Sequence, residues 1–575
     1  MKILPPVSIE ARRLLPSKWD LLAAILVLGF IVLFADASRA LIRPLSSLST
    51  GYLPLDPWRL PEYAMFTALR MLIALGVSLA FTFSYATWAA KSQRAGTLLV
   101  PLLDILQSVP ILGFISVTVV FFLSLAPGRI FGAELAAVFA VFTSQAWNMA
   151  FSFYQSLRMV PADLDEASRG FRSSGWQRFW RLEVPFAVPG LVWNTMMSMS
   201  GGWFFVVASE AIAVGNLQIC LPGVGSYVAQ AIRERDLAAV GYAVIAMTLA
   251  ILLCDQLLFR PVVAWADRFR VEQTVLPAVP RSWVLDWYRG SRWLSRFGGY
   301  CAAGLWGVAG LRLAGPRSSA HPPRGLPRRL GDLLWLMLVA AVVAWAAHAL
   351  LGFARASLTW ADITLAVTDG MWTLLRVAVL IALAAVIWVP IGVAIGLRPR
   401  LTAALQPLAQ FLAAFPVNLL FPFAVDLIVR FGLPPRIWLS PLMILGTQWY
   451  ILFNVIAGTT AFPGDLREAA ASFRVRTWRW WREVMLPGVF PYFVTGAITA
   501  SGGAWNASFV AETVTWGSTS LSTPGLGTYI TRATAAGDYP RIALGVAVMS
   551  AFVIVMNRLL WRPLYALAER RTRLD

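Results

Sequence analysis

Lysine, histidine and cysteine are nearly missing from this chain, and each shortage removes a class of function. The only lysines are Lys2, Lys18 and Lys91, and none follows a glycine. A Gly-Lys phosphate loop is therefore excluded, and with it ATP hydrolysis by this chain alone. Cys220, Cys254 and Cys301 are scattered without metal-ligand spacing, and His321 and His348 are isolated. No metal centre is expected from such a set. Charge is scarce as well, at 13% of residues against about 25% in an average soluble domain.

Apolar residues take the place of all these, at 58% of the chain with a mean hydropathy of +0.67. Runs of about 20 apolar residues recur, long enough to cross the hydrocarbon of a bilayer. A soluble helical core would need polar helix faces, which most of these runs lack. The expected fold is all-α, a polytopic transmembrane helical protein. Net charge is +19, from 48 basic and 29 acidic residues. The arginines cluster in loops between apolar runs, the positive-inside pattern and not the footprint of a nucleic-acid partner. Arg12, Arg13 and Lys18 precede an apolar run at 20–36 with no convincing cleavage site after it. That run reads as a first membrane helix and not as a signal peptide.

Twelve spans are expected, at about 20–36, 64–89, 98–125, 133–157, 186–213 and 236–262, then 331–353, 370–396, 404–430, 437–460, 488–516 and 540–565. Six spans per half bring the second half in on the same side as the first, a parallel repeat. The sequence repeats accordingly. Residues 161–190, PADLDEASRGFRSSGWQRFWRLEVPFAVPG, align without a gap on 463–492, PGDLREAAASFRVRTWRWWREVMLPGVFPY, at an offset of 302. Upstream the offset is 306, matching Arg70 with Arg376, Pro101 with Pro407 and Pro110 with Pro416. Downstream, Trp203 meets Trp505, Glu210 meets Glu512, and the turn Pro222–Gly225 meets Pro524–Gly527. Duplication and fusion is the economical explanation. The expected organisation is a first repeat over 1–270, a basic linker over 271–330 and a second repeat over 331–575. The linker carries nine arginines against Glu272 and Asp286, and its run at 299–315 is short and glycine-rich. It reads as cytoplasmic, with Trp283, Trp287 and Trp293 suited to a bilayer surface.

The repeated hairpin resembles the EAA loop of ABC-importer permeases: Glu166-Ala167-Ser168 with Val184-Pro185, and Glu468-Ala469-Ala470 with Leu486-Pro487. The duplicated layout is similar to the nitrate, sulfonate and taurine group of these permeases. Where that family usually has a glycine, this chain has Arg172 and Arg474. The resemblance implies a type I importer permease in a bacterial cytoplasmic membrane, both termini cytoplasmic, moving a small anion such as nitrate, sulfonate or bicarbonate. It implies two cytoplasmic ATP-binding cassette subunits that bind ATP and Mg, and an extracytoplasmic binding protein. Each hairpin would be a coupling helix seated in an ATPase groove, through Asp163, Glu166, Ala167, Arg169, Arg172 and Trp176 and through Asp465, Glu468, Ala469, Arg474 and Trp478. The chain itself would hold no cofactor and would not be an enzyme. A secondary transporter is the rival reading, since parallel repeats occur there too.

Charges inside the spans carry the last expectation. Arg70 and Glu210, and likewise Arg376 and Glu512, fall toward the outer side, where an unpaired charge costs about 2.5–3.5 kcal/mol. Two readings stay open, an ion pair holding helices together in each half or a lining for the anion path. Trp203 and Trp505 fit packing or pore lining equally.

Overall fold

The computed structural model describes residues 53–269, 283–312 and 357–572, apart from 108, 215–216 and 476, together with scattered positions between 333 and 352. The expected span at 20–36 lies outside these residues, and the one at 331–353 is described only at scattered positions. The architecture is helical throughout, with two small β-hairpins. In the first repeat α1 (Leu60–Lys91), α2 (Gln93–Leu106), α3 (Ile111–Leu125) and α4 (Ile130–Arg158) lead to the short α5 (Ala162–Gly170) and α6 (Gly175–Arg178), then to α7 (Val184–Glu210). The strands β1 (Ala211–Val214) and β2 (Leu217–Cys220) follow, then α8 (Val224–Glu234), α9 (Leu237–Cys254) and α10 (Arg260–Ala266). Linker helices α11 (Trp283–Gly290) and α12 (Arg292–Gly310) come next.

The second repeat runs in the same order. It comprises α13 (Trp360–Gly396), α14 (Pro399–Ala414), α15 (Phe421–Arg430), α16 (Pro435–Trp438), α17 (Leu442–Leu445), α18 (Gln448–Thr460), α19 (Gly464–Ser472), α20 (Thr477–Trp480) and α21 (Leu486–Ala511). Then come β3 (Thr513–Trp516), β4 (Thr519–Ser522), α22 (Leu526–Ala536), α23 (Tyr539–Met556) and α24 (Arg562–Thr572).

Among the described residues six helical stretches are long and apolar enough to cross a membrane, or eight if each of two bent pairs counts as one span. The expected span at 404–430 bends by 83° between α14 and α15, and that at 437–460 by 42° between α17 and α18. The span at 98–125 is likewise two helices. Proline explains the first bend and the split at 98–125: the residue before a proline is driven out of the helical region, and the breaks fall at Pro110 and Pro416. Phe415 is accordingly extended, at φ −69° and ψ 131°. Two further spans end earlier than expected, because the chain turns into a strand at Ala211 and at Thr513.

α4 lies between α1 and α7. Its buried face of Gly132, Ala133, Ala136, Ala137 and Ala140 lets the helices approach closely, since small side chains keep backbones near one another in a bilayer. α7 itself is too polar to pass as a span by composition. Its Ser198, Ser200 and Gly202 are buried, and Asn194, half-buried, donates to the Ser152 hydroxyl at 2.8 Å.

Four helical turns are widened to π geometry, at Phe179–Glu183, Asp255–Phe259, Trp481–Met485 and Asn557–Trp561. Each ends two residues before a proline: Pro185, Pro261, Pro487 and Pro563. A proline ring clashes with the carbonyl four residues back, and a widened turn moves that carbonyl aside without breaking the helix. For this reason the helix is not broken at Pro185, and α6 runs through its π turn straight into α7.

At the far end of α7 and α21 each strand pair is antiparallel, with Ala211 opposite Cys220 and Thr513 opposite Ser522. The turn into the next helix needs glycine for space. A Cβ on Gly225 or Gly527 would collide with the carbonyl oxygens of Val207 or Ser508, and one on Gly223 or Gly525 with the carboxylates of Glu210 or Glu512. Gly527→Ala is therefore expected to destabilise the folded protein by about 1–3 kcal/mol, read as a lower melting temperature in detergent.

Candidate functional site

Two kinds of site occur, each in duplicate, at opposite ends of α7 and α21. At the strand end a carboxylate is buried completely. Glu210 Oε1 accepts from Arg70 Nη1 at 2.8 Å and from the Thr67 hydroxyl at 2.6 Å, and its Oε2 accepts from the Gly225 amide at 2.6 Å. Glu512 repeats the set with Arg376 Nη1 at 3.0 Å, Thr373 at 2.8 Å and the Gly527 amide at 2.8 Å. The threonines also accept from the first amides of the next helix, Val224 and Leu526, at 3.1 and 3.0 Å. One carboxylate thus joins α1, α7 and α8, and its counterpart joins α13, α21 and α22. A buried charge needs such a full set of partners to persist without water.

The two clusters differ in one respect. Arg70 also grips Glu134 of α4 with both Nε and Nη2, at 2.6 and 2.7 Å, and donates to the Pro222 carbonyl at 2.8 Å. Arg376 instead donates to the Thr523 hydroxyl at 2.8 Å. Glu134, Thr67 and Thr373 were not singled out from the sequence. The threonines were visible as the first letters of the repeated TALR and TLLR, three residues before each arginine and so on its helical face. Trp203 and Trp505 are 2% and 1% exposed. Trp505 stacks on Phe552, while Trp203 borders a cavity of about 520 Å³ that Trp193, Met196 and Ser200 line from α7 and Gln410 and Phe411 from α14. That cavity lies on the seam between the repeats.

At the other end are the hairpins. α5 and α19 each stop in a Schellman turn: Ser173 N donates to Ser168 O and Arg172 N to Arg169 O, and Val475 N donates to Ala470 O and Arg474 N to Ala471 O. Such a turn places one residue in the left-handed region. Here that residue is Arg172 at φ +48° and Arg474 at φ +55°, which gives a physical reason for glycine at this position. α6 then starts from a capping box, with Ser174 accepting from the Gln177 amide at 3.2 Å and Gln177 accepting from the Ser174 amide at 3.0 Å.

Asp163, Glu166, Ala167, Arg169 and Arg172 are exposed, as are Asp465, Glu468, Ala469 and Arg474. Among the described residues nothing in the chain pairs with Glu166 or Glu468, and neither caps its helix. At the tips Phe171 and Phe473 are 84% and 82% exposed. Each hairpin thus holds an aromatic side chain outside the core of the chain.

With that geometry in hand, the comparisons with known proteins decide the family. The model of the binding-protein-dependent transport system inner membrane component matches twice, over residues 72–270 and 387–574, together more than half of the chain. The chain belongs to this family. It is similar to the glycine betaine/proline betaine transport system permease protein ProW of Escherichia coli (strain K12), 30% identical over 28% of this chain and 44% of that protein. It is also similar to the bicarbonate transport system permease protein CmpB of Synechococcus elongatus, 30% identical over 32% of this chain and 64% of that one. The nitrate import permease protein NrtB of Leptolyngbya laminosa is 27% identical over 32% and 63%. The chain thus spans less than two thirds of the length of these curated relatives in each match. An alignment covering 64% of CmpB but 32% of this chain also makes this chain twice as long as CmpB.

Two variants test these sites. Arg376→Ala leaves Glu512 buried without a cation and is expected to cost about 3–5 kcal/mol, seen as loss of monodisperse protein on heating; adding Glu512→Gln should recover part of it. Arg172→Gly relieves the left-handed strain and is expected to stabilise the hairpin by about 1 kcal/mol, measured as slower hydrogen exchange across 161–183.

Proposed function

We propose that this multi-pass membrane protein is the fused permease subunit of an ATP-driven importer for a small anion. The observation that carries the reading is the pair of exposed hairpins, each ending in an unburied phenylalanine and each continuous with a core helix. An ATPase dimer offers two grooves, and one fused chain supplies both plugs. ATP and Mg belong to those subunits, the hairpins and both termini face the cytoplasm, and a binding protein delivers solute outside. The division into repeats at 1–270 and 331–575 with a cytoplasmic linker belongs to the same proposal.

Bicarbonate and nitrate in the relatives' names, and the carboxylate of a betaine, share a planar oxyanion. Arg70 and Arg376 are engaged by glutamates, so neither serves as the counter-charge of such a solute. Neutral donors such as Ser200 and Gln410 on the seam cavity suit transient recognition, since passage requires binding weak enough to release.

The test is co-purification with the candidate ATPase, comparing the intact chain with the Glu166→Arg, Glu468→Arg double variant. Two ATPase copies per intact chain, lost in the variant, are expected. Transport by the purified chain in liposomes without ATP would overturn the reading in favour of a secondary transporter.

A further inference from the structure

The two hairpins are held by different means. The linker helix α12 ends on the first one: Trp176 Nε1 donates to the Val308 carbonyl and Gln177 Nε2 to the Gly310 carbonyl, each at 2.8 Å. Carbonyls in the last turn of a helix lack their i+4 partners, and the hairpin supplies donors for two of them. Gly310 lies so close that a Cβ there would stand 3.0 Å from Arg181 Nη2.

A chain of ion pairs also fixes this hairpin. Asp165 pairs with Arg178 at 2.7 Å, Arg178 with Glu183 at 3.1 Å, and Glu183 with Lys91 at the end of α1 at 2.8 Å. In the second hairpin the matched positions are Arg467, Trp480, Met485 and Leu397, so no such chain exists there. Trp176 is partly covered, whereas its counterpart Trp478 is 70% exposed. Charge differs too. Residues 161–183 hold four acidic and four basic side chains, and the matched 463–485 hold three and five, a net of zero against plus two.

We propose that the two hairpins dock their ATPase subunits unequally. The second is the tighter, with Trp478 as its anchor and an acid-lined groove as its partner surface. The first is a rigid plug whose tryptophan is already engaged by the linker. This rests on the ATPase-docking reading above. Large aromatics that become buried are the residues on which interfaces most depend, and only the second hairpin has its tryptophan uncommitted. Its surplus positive charge makes the contact salt-sensitive in the way of exposed charges.

The experiment uses the full chain in nanodiscs, titrated with the candidate ATPase, with thermal unfolding as a control for folding. Trp478→Ala is expected to weaken one of the two sites at least about tenfold, so that one ATPase per chain remains where the intact chain keeps two. Gln177→Leu removes the linker hydrogen bond to the Gly310 carbonyl. It should keep two ATPase copies while speeding tryptic cleavage after Arg312. Equal weakening by Trp176→Ala and Trp478→Ala, or two copies retained by Trp478→Ala, would overturn the inequality while leaving docking itself standing. An intact chain that binds no ATPase removes the docking reading and this inference with it.

Discussion

Everything at one end of this molecule hangs on two carboxylates that have no access to water. Glu210 and Glu512 each terminate a core helix, and each is neutralised by an arginine, from α1 in the first repeat and from α13 in the second. A carboxylate so placed cannot trade its partners for solvent, so the surrounding backbone is obliged to keep its shape. The Gly-x-Gly turn, the strand pair and the start of the following helix are all consequences, because the glycine amide is one of the donors. The other end of the same core helix carries the hairpin, joined through a π turn that keeps the helix continuous past a proline. From Val184 to Glu210 that is a rod of about 40 Å at about 1.5 Å per residue. A rod locked at one end transmits displacement of the other as a pivot of the whole helix.

The repeats have kept this lock while changing what surrounds it. In the first, α4 is one helix of 29 residues and brings Glu134 against Arg70. In the second, the chain from Pro416 to Asp465 is four residues shorter than from Pro110 to Asp163, and the helix matching α4 is broken into α16, α17 and α18. No carboxylate arrives there, and Arg376 turns to Thr523 instead. The ion chain of the first hairpin has likewise become Arg467, Trp480, Met485 and Leu397 in the second. Replacement of a buried ion pair by packed apolar groups is often neutral in stability, so the two halves can drift apart in this way without either unfolding.

Duplication made much of this legible in advance. The hairpins, the arginine–glutamate positions and the glycine turns stood out because each occurred twice at a fixed offset, and the structure brings Arg70 to Glu210 and Arg376 to Glu512. Hydropathy was a poorer guide to continuity. A sliding apolar window does not register the 83° bend at Pro416, although the proline itself was among the matched residues. Nor could it rank α7, whose polar and glycine residues face protein. Glu134 escaped notice because it has no counterpart in the second copy. The contact of α12 with Trp176 and Gln177 joins residues 132 and 133 positions apart through backbone carbonyls, which no pattern of side chains announces.

Fusion itself accounts for the asymmetry. Two identical permease chains around a two-fold axis present identical hairpins, because any substitution appears on both. A single chain with two repeats is free of that constraint, and its linker occurs once: α12 is hydrogen-bonded to the first hairpin. Once α12 takes up Trp176, the first hairpin carries a contact that the second lacks among the described residues. The exposed Trp478 and the extra positive charge around it are what such a division leaves behind. The inequality of the two hairpins then follows from connectivity.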